Sequence, residues 1–302
     1  MKIDESILKV LLYFDMFDYP LTMEEIHQFI EQPVTREDLS TALTDCKSKN
    51  QVFQLDNFFS LHNNYSLAER RRTGNQKADI LLNHAINISR RLYKFPYVRA
   101  IGVTGSVSKY FADEDADIDY FIITKANRLW MARTLMHLYK KLPFLKKRNK
   151  WYCMNYYVDE AVLQIEEKNI YTATELITLI PMQGVTDFIK FFDANKWAND
   201  YFPNYKFNHP VKEEPPVFYP LKMFFEFLFN NKLGNWLDDY FLKLTTRRWK
   251  LKEIQGRLNT KGENMGLKTS KHCSKPNPVF FHDQFLNKYR SRLKEEITRW
   301  NL

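Results

Sequence analysis

Two acidic residues at the head of an apolar stretch could together hold a metal ion. Asp117 and Asp119 open the segment 117–124, which continues with mostly apolar residues. Side chains in a strand alternate between faces, so residues two apart are expected to project to the same side. Neighbouring carboxylates repel one another unless a cation lies between them, and hard oxygen ligands suit Mg²⁺. The pattern therefore predicts a divalent metal site, for Mg²⁺ or Mn²⁺, at Asp117 and Asp119.

A second motif, suited to an anion, precedes this pair. Gly105-Ser106 follows the apolar segment 98–104, which predicts a strand that ends in a tight turn and the start of a helix. Free backbone N–H groups and the helix dipole at such a start favour a phosphate group. Lys109, one turn further, can reach the same phosphate, although a solvated lysine explains this residue equally well. A phosphate site facing a metal site indicates chemistry on a nucleoside triphosphate (NTP).

The elements that position these residues are predicted to form a mixed α/β domain over 96–202. Its apolar patterning predicts three strands and two helical segments. We expect the strands at 98–104, 118–124 and 151–158, and the helical segments at 127–142 and 170–200. The basic stretch 140–150 lies between the second and third strands. It either attracts a triphosphate or nucleic acid or only solvates a loop.

Residues 1–64 show the pattern of a winged-helix-like module. A helical apolar face is followed by a capping box at Thr22 and Glu25, a further helix start and a hairpin pattern over 51–62. Winged helices commonly bind DNA, but phosphate contacts require Lys and Arg. This segment is acidic, whereas the rest of the chain is basic, so we favour a protein-contacting module. A connecting helix is predicted over 65–95.

Residues 203–302 are predicted to be a basic, helical region. The polar, proline-containing segment 203–216 is predicted to be a linker, and 256–278, rich in Gly, Lys, Ser, Asn and Pro, a mobile loop. The segment 243–275 contains ten Lys or Arg residues and only two acidic residues, both Glu. This basic stretch fits either contact with an RNA acceptor through its phosphates or a basic tail without fixed structure.

Several classes of protein are disfavoured by what the chain lacks. Its three cysteines, Cys46, Cys153 and Cys273, are isolated and form neither a disulfide framework nor a zinc motif, which predicts a reducing, cytoplasmic environment. No apolar run reaches the roughly 20 residues that span a bilayer, so no membrane partner is expected. The glycine-rich loop of P-loop enzymes, the Gly-x-Ser-x-Gly elbow of hydrolases and the Rossmann glycine triplet are also missing.

The Gly105-Ser106 turn, its spacer and Asp117-Ile-Asp119 at the head of a strand together resemble the signature of the DNA polymerase β-like nucleotidyltransferase superfamily. The wider layout is similar to stand-alone bacterial nucleotidyltransferase-domain proteins with an N-terminal helical extension. The resemblance implies an α+β fold whose mixed sheet is flanked by helices. It also implies transfer of a nucleoside monophosphate from an NTP to an acceptor, with release of pyrophosphate. By this match Gly105 and Ser106 would hold the β- and γ-phosphates, and Asp117 and Asp119 would bind Mg²⁺.

Members of that superfamily usually carry a third carboxylate on a later strand. In this chain Asn155 occupies the inward-facing position of the segment 151–158. Its amide can offer an oxygen to a metal ion but cannot act as a base. Asp159 or Glu160, just past the strand, would be the substitutes. Three possibilities stay open: an enzyme with one metal ion, an enzyme of narrow acceptor range, and a catalytically inactive binding protein.

Two functions of different classes follow. The first is a metal-dependent nucleotidyltransferase whose acceptor is a protein hydroxyl, a small molecule or an RNA 3′ end. The second is a non-catalytic regulator that binds nucleotide or nucleic acid and uses the N-terminal module for interaction. Asn155 and the N-terminal module motivate the second hypothesis.

Overall fold

The computed structural model describes residues 2–143, 151–205, 219–258, 266–276 and 281–300. These residues form an α+β structure with two sheets, one mixed and six-stranded, the other antiparallel and three-stranded. The predicted α+β class with a mixed sheet is therefore confirmed. Among the described residues, no helix combines the length and the apolar character needed to cross a bilayer.

The N-terminal part alternates short helices with short strands. Its elements are α1 (Ile3–Asp15), β1 (Leu21–Thr22), α2 (Met23–Phe29), α3 (Arg36–Ser48), β2 (Phe53–Leu55) and β3 (Phe58–Ser60). The strands form the small sheet in the order β1-β3-β2. The predicted capping box is present: the Thr22 hydroxyl accepts the Glu25 N–H at 3.2 Å, and the Glu25 carboxylate accepts the Thr22 N–H at 2.8 Å.

A long helix leads from this part to the larger sheet. Helix α4 runs over Tyr65–Leu92, within the span 65–95 predicted from the sequence. It begins at Asn64, whose side chain accepts the Ser66 N–H at 3.1 Å and so satisfies one of the donors left open at a helix start.

The second half of the fold is built around the six-stranded sheet. Its elements in chain order are β4 (Val98–Thr104), α5 (Gly105–Ser108), β5 (Asp119–Thr124), α6 (Leu129–Lys140), β6 (Cys153–Asp159), α7 (Ile170–Ile177), β7 (Ile180–Gln183), α8 (Val185–Ala194), α9 (Pro220–Phe229), α10 (Lys232–Ile254), β8 (Leu267–Thr269), β9 (Cys273–Pro276) and α11 (Phe281–Trp300). The strand order is β7-β4-β5-β6-β9-β8. Strands β5 and β6 are parallel and joined through α6, whereas all other neighbours are antiparallel.

The prediction of a continuous helical segment over 170–200 is wrong. The structure divides it into α7, the edge strand β7, α8 and a short 3-10 helix, Lys196–Asp200. Pro181 cannot continue a helix, and the edge of a sheet tolerates its missing N–H group. Gly184 then turns the chain into α8 with a φ of 77°, a conformation that other residues rarely adopt.

The region predicted to be helical at 203–302 contains strands as well as helices. Helices α9, α10 and α11 are present, but a hairpin of β8 and β9 replaces part of the loop predicted over 256–278. Strand β9 pairs with β6, so this hairpin extends the sheet that carries the candidate site. Three segments discussed above lie outside the described residues. They are most of the predicted linker, the basic residues of 140–150 that follow residue 143, and residues 259–265.

The two halves share one hydrophobic core. A single cluster of buried side chains contains Leu8 and Leu12 of α1, Phe121 of β5, Phe191 of α8 and Phe285 of α11. Helix α11 packs against α1. This packing fixes the N-terminal part against the sheet.

Candidate functional site

The Asp-x-Asp and Gly-Ser motifs meet at one edge of the large sheet. Strand β4 ends at Thr104, β5 begins at Asp119, and these two residues are paired in the antiparallel register. Gly105 therefore turns directly beside Asp119, with a φ of 75°. A Cβ atom at Gly105 would lie 2.8 Å from the Asp119 Oδ2 atom. Both the φ angle and this close approach require glycine at the turn.

The two aspartates and one cysteine converge. Asp117, Asp119 and Cys153 each offer a ligand atom, and these atoms all lie within 4.8 Å of one another. Asp117 lies in the loop just before β5 rather than on the strand. The loop, not strand alternation, thus brings its carboxylate to Asp119. Cys153 arrives through the parallel pairing of β5 with β6, in which it is opposite Asp119.

Cys153 was not identified as a site residue from the sequence, because no second cysteine or histidine lies near it in the chain. Burial and the negative charges of Asp119 and Asp117 raise the pKa of its thiol strongly. The thiol is the soft donor of the cluster, and soft donors suit Mg²⁺ poorly. The hard donors at this position are the two carboxylates, which fit a hard ion such as Mg²⁺.

Asn155 lies in a bulge of β6. Tyr120 is paired with Met154 and Phe121 with Tyr156, so Asn155 is the extra residue between them. Its side-chain amide donates a hydrogen bond to Asp119 Oδ1 at 2.8 Å. The structure thus brings Asn155 to the aspartates, as expected, and shows that it contacts a carboxylate directly.

Asp159 and Glu160 do not supply a third carboxylate, because they lie at the other end of the sheet. Asp159 is paired with Thr124, the last residue of β5, whereas Asp119 is the first. Five residue steps along β5 separate the two ends by about 16 Å. Asp159 is fully buried and accepts the Asn127 N–H at 2.9 Å, so its role there is structural.

Asp159 and Glu160 have other partners at that end. The His272 ring nitrogen Nδ1 lies 2.9 Å from Asp159 Oδ2, which fastens the β8–β9 hairpin to the sheet. The Glu160 carboxylate accepts the Ala126 N–H at 3.2 Å.

The predicted phosphate site contains a carboxylate. The Gly105 N–H donates to Glu175 Oε2 at 3.2 Å, and the Lys109 ammonium lies 2.7 Å from Glu175 Oε1. Ser106 is exposed beside them. Glu175 belongs to α7, about 70 positions further along the chain, so no local pattern could have shown that it lies here. The Glu175 carboxylate therefore occupies the position that was predicted for a phosphate group.

The loop after Gly105 is supported from behind by α4 and the N-terminal part. The Ala112 N–H donates to the Gly74 carbonyl in the middle of α4 at 3.1 Å. The Tyr19 hydroxyl donates to the Lys109 carbonyl. Asp113 forms an ion pair with Arg70 at 3.0 Å. The N-terminal part is therefore connected to the residues that carry the anion site.

Comparison of the chain with protein-family models, with curated proteins and with solved structures gives no match.

Proposed function

We propose that this protein is a metal-dependent nucleotidyltransferase with a polymerase β-like catalytic domain. The proposal rests on one observation: Asp117, Asp119 and the Gly105 turn lie close together at one edge of the sheet. The antiparallel pair β4–β5 followed by the parallel neighbour β6 also fits the sheet that the sequence resemblance implies. The reaction proposed is transfer of a nucleoside monophosphate from an NTP to an acceptor.

The two carboxylates are the groups that would hold Mg²⁺ or Mn²⁺. When bound, the ion supplies positive charge that neutralises and aligns the phosphates. Asn155, through its hydrogen bond to Asp119, keeps that carboxylate in position. Among the described residues no further His, Cys, Asp or Glu joins Asp117, Asp119 and Cys153 in the cluster. We propose one metal ion, held by the two aspartates.

The backbone of the Gly105 turn and the Lys109 ammonium are the donors for the β- and γ-phosphates. They become available when the Glu175 carboxylate moves away. The acceptor oxygen then forms a bond to the α-phosphorus, the bond from that phosphorus to the bridging oxygen breaks, and pyrophosphate leaves with the bonding electrons. The acceptor proton passes to solvent, because Asn155 cannot accept it. Orientation and charge stabilisation supply the catalysis.

We assign the N-terminal part to a winged-helix-like module that contacts protein. Its element order, α1-β1-α2-α3-β2-β3, supports this assignment. The exposed residues of α3 include the acids Glu37, Asp38 and Asp45. Acidic residues also outnumber basic ones over the whole N-terminal part. This excess of negative charge repels DNA phosphates, which favours a protein partner.

A non-catalytic nucleotide-binding regulator is the second candidate function. Glu175 in the anion site and Asn155 in place of a third carboxylate favour it. The two candidates differ in turnover, because a regulator binds an NTP without releasing pyrophosphate.

Label transfer from an NTP tests the proposal. The full chain is incubated with Mg²⁺ or Mn²⁺ and each α-³²P-labelled NTP, and cell RNA, cell extract and the protein itself serve as acceptors. We expect Asp117→Asn and Asp119→Asn to lower transfer at least about 100-fold. Mutating groups that only orient metal ligands already lowers metal affinity or activity about 10- to 100-fold.

Asp193→Asn is the matched control for these variants, because Asp193 is an exposed carboxylate at the end of α8. It should transfer label as the wild type does. Full transfer by folded Asp117→Asn and Asp119→Asn proteins would contradict the proposal. NTP binding without transfer by the wild type would favour the regulator.

A further inference from the structure

Helices α6 and α10 pack against each other, and each carries two cationic or basic side chains spaced one turn apart. Arg133 and His137 come from α6, and Arg248 and Lys252 come from α10. None of the four forms an ion pair with any residue that the structure describes. A cluster of like charges without acids destabilises a fold unless an anion from outside compensates it.

Arg133 is the most informative member of this cluster. Its side chain is 9% exposed, and its Nε atom is buried without a hydrogen-bond partner. The guanidinium carbon lies 5.5 Å from the centre of the Trp130 ring and 6.0 Å from that of Tyr157. The guanidinium stays charged in proteins, so this buried donor has stacking partners but no acceptor among the described residues.

His137, one turn after Arg133, adds a second orphaned atom. Its Nε2 atom is buried without a partner. Burial and the positive charges of Arg133, Lys140 and Lys141 hold its pKa well below the usual range. The ring is therefore neutral in the empty cluster and can become a second donor when an anion approaches.

Arg248 and Lys252 lie one turn apart on α10, the helix that packs against α6. Arg248 lowers the pKa of Arg133, and Arg248 and Arg133 both lower the pKa of Lys252, in each case after burial as the larger cause. These charges are thus close enough to repel one another across the α6–α10 contact.

We propose that the α6–α10 cluster of Arg133, His137, Arg248 and Lys252 is a binding site for a phosphate group. A phosphate has several strong acceptor oxygens and a charge that can satisfy two guanidinium groups, an imidazole and an ammonium together. A single carboxylate offers fewer acceptors and less charge. The shared chemistry is that of a phosphate ester, from either a small molecule or a nucleic-acid backbone. This proposal does not depend on the nucleotidyl transfer proposed above.

The cluster and the candidate metal site lie on opposite faces of the large sheet. Helix α6 returns from the end of β5 to the start of β6, so its last residues approach the sheet edge that carries Asp119. Arg133 lies over Tyr157, on the face that also carries Tyr120 and Ile122, whereas strand alternation directs Asp119 to the face of Phe121 and Ile123.

Thermal unfolding in inorganic phosphate tests the site. We expect the Tm of the wild type to rise as phosphate increases from about 1 to about 50 mM at constant ionic strength, because a ligand that binds the folded state stabilises it. Arg133→Met should unfold at a higher Tm than the wild type in phosphate-free buffer, since a buried unpaired charge is replaced by an apolar side chain. Its Tm should no longer respond to phosphate.

Two further variants keep this test decisive. Arg248→Met changes an exposed side chain and should also lose the phosphate response. Lys243→Met removes an exposed cation of α10 outside the cluster and should keep it. Equal phosphate responses in the wild type, Arg133→Met and Arg248→Met would overturn the proposal.

Two probes then distinguish the sources of the phosphate. Adenosine monophosphate represents a small phosphate ester, and a 12-nucleotide RNA represents a phosphodiester backbone. Binding of either probe that Arg133→Met weakens at least tenfold supports the site and assigns the source. Binding of neither probe, together with no response to inorganic phosphate, overturns it.

Discussion

At the scale of single residues, Glu175 interacts with both donors of the proposed triphosphate site. Its carboxylate accepts the Gly105 N–H and pairs with the Lys109 ammonium. A triphosphate can bind these donors only in competition with this carboxylate. The residue therefore sets the affinity for NTP in the proposed enzyme.

Glu175→Gln is expected to strengthen NTP binding. The competing charge is lost, so KM should fall roughly fivefold, which corresponds to about 1 kcal/mol for a partly exposed ion pair. The kcat should change little. Steady-state kinetics check this, with Glu160→Gln at the opposite end of the sheet as the control. An unchanged or higher KM would show that Glu175 does not compete with the nucleotide.

Asp238 predicts a pH dependence of stability. Its Oδ1 atom accepts the Met131 N–H at 2.8 Å, while Oδ2 is buried without a partner among the described residues. Burial raises the pKa of this carboxyl to about 6 from its usual 3.8. The folded state therefore binds the proton more tightly than the unfolded state does, and the free energy of unfolding falls as pH rises from about 4 to about 6.

Asp238→Asn should remove this dependence. The difference between wild type and variant in the free energy of unfolding should change by about 3 kcal/mol across that pH window. Denaturant titrations at pH 4, 5, 6 and 7 measure it. Parallel pH profiles for the two proteins would refute the assignment.

At the scale of elements, the crossing of α4 over the loop 105–113 depends on Gly74. A Cβ atom there would lie 2.3 Å from the nearest atom of the Phe111 ring. In an exposed helix Gly→Ala stabilises by about 1 kcal/mol, but overpacking costs about 1 to 3 kcal/mol. The steric cost is the larger of the two here.

Gly74→Ala should therefore destabilise the wild type by about 1 kcal/mol. In a Phe111→Ala background the ring is gone, and Gly74→Ala should instead stabilise by up to about 1 kcal/mol. This double-mutant cycle is measured by denaturant unfolding. The same sign of change in both backgrounds would argue against the contact.

Local sequence signals predicted the elements whose patterns are strong. Three such signals were followed by the expected elements. They are the apolar runs of β4 and β5, the helical periodicity of α4 and the Thr22–Glu25 capping box. Strand β7 was missed because its four residues lie between helices and contain Pro181. The β8–β9 hairpin was missed because its strands are short and polar, and only pairing with β6 stabilises them.

The candidate site was predictable only as far as it is local in the chain. Asp117, Asp119 and Gly105 are near neighbours in sequence, so their types and spacing indicated a site. Cys153 and Glu175 join it through strand pairing and helix packing between distant segments. Asp159 was misplaced because the sequence does not reveal which end of a parallel strand faces the motif.

At the scale of the whole molecule, Phe285 of α11 connects three parts of the chain. Its ring centre lies 5.4 Å from that of Tyr13, 5.1 Å from that of Phe17 and 5.4 Å from that of Tyr171. Because the core is continuous from α1 to the sheet, the described parts should unfold together.

Phe285→Ala is expected to lower the free energy of unfolding by about 3 kcal/mol, the cost of truncating a buried aromatic residue. Unfolding should remain a single transition by tryptophan fluorescence and by circular dichroism. Leu221→Ala, which changes an 84% exposed side chain, should alter stability by less than about 0.5 kcal/mol. Two separate transitions in the wild type would contradict a shared core.

We propose that Asp117, Asp119 and the Gly105 turn direct attack on the α-phosphate of an NTP. Quantifying both products of a single reaction tests it most directly, with Mn²⁺, one NTP at a time and cell extract as the source of acceptor. We expect equal amounts of pyrophosphate and of acceptor-linked nucleoside monophosphate, both absent with the protein carrying Asp117→Asn and Asp119→Asn. Release of inorganic phosphate with a nucleoside diphosphate, or pyrophosphate that the double variant still forms, would contradict the proposed transfer.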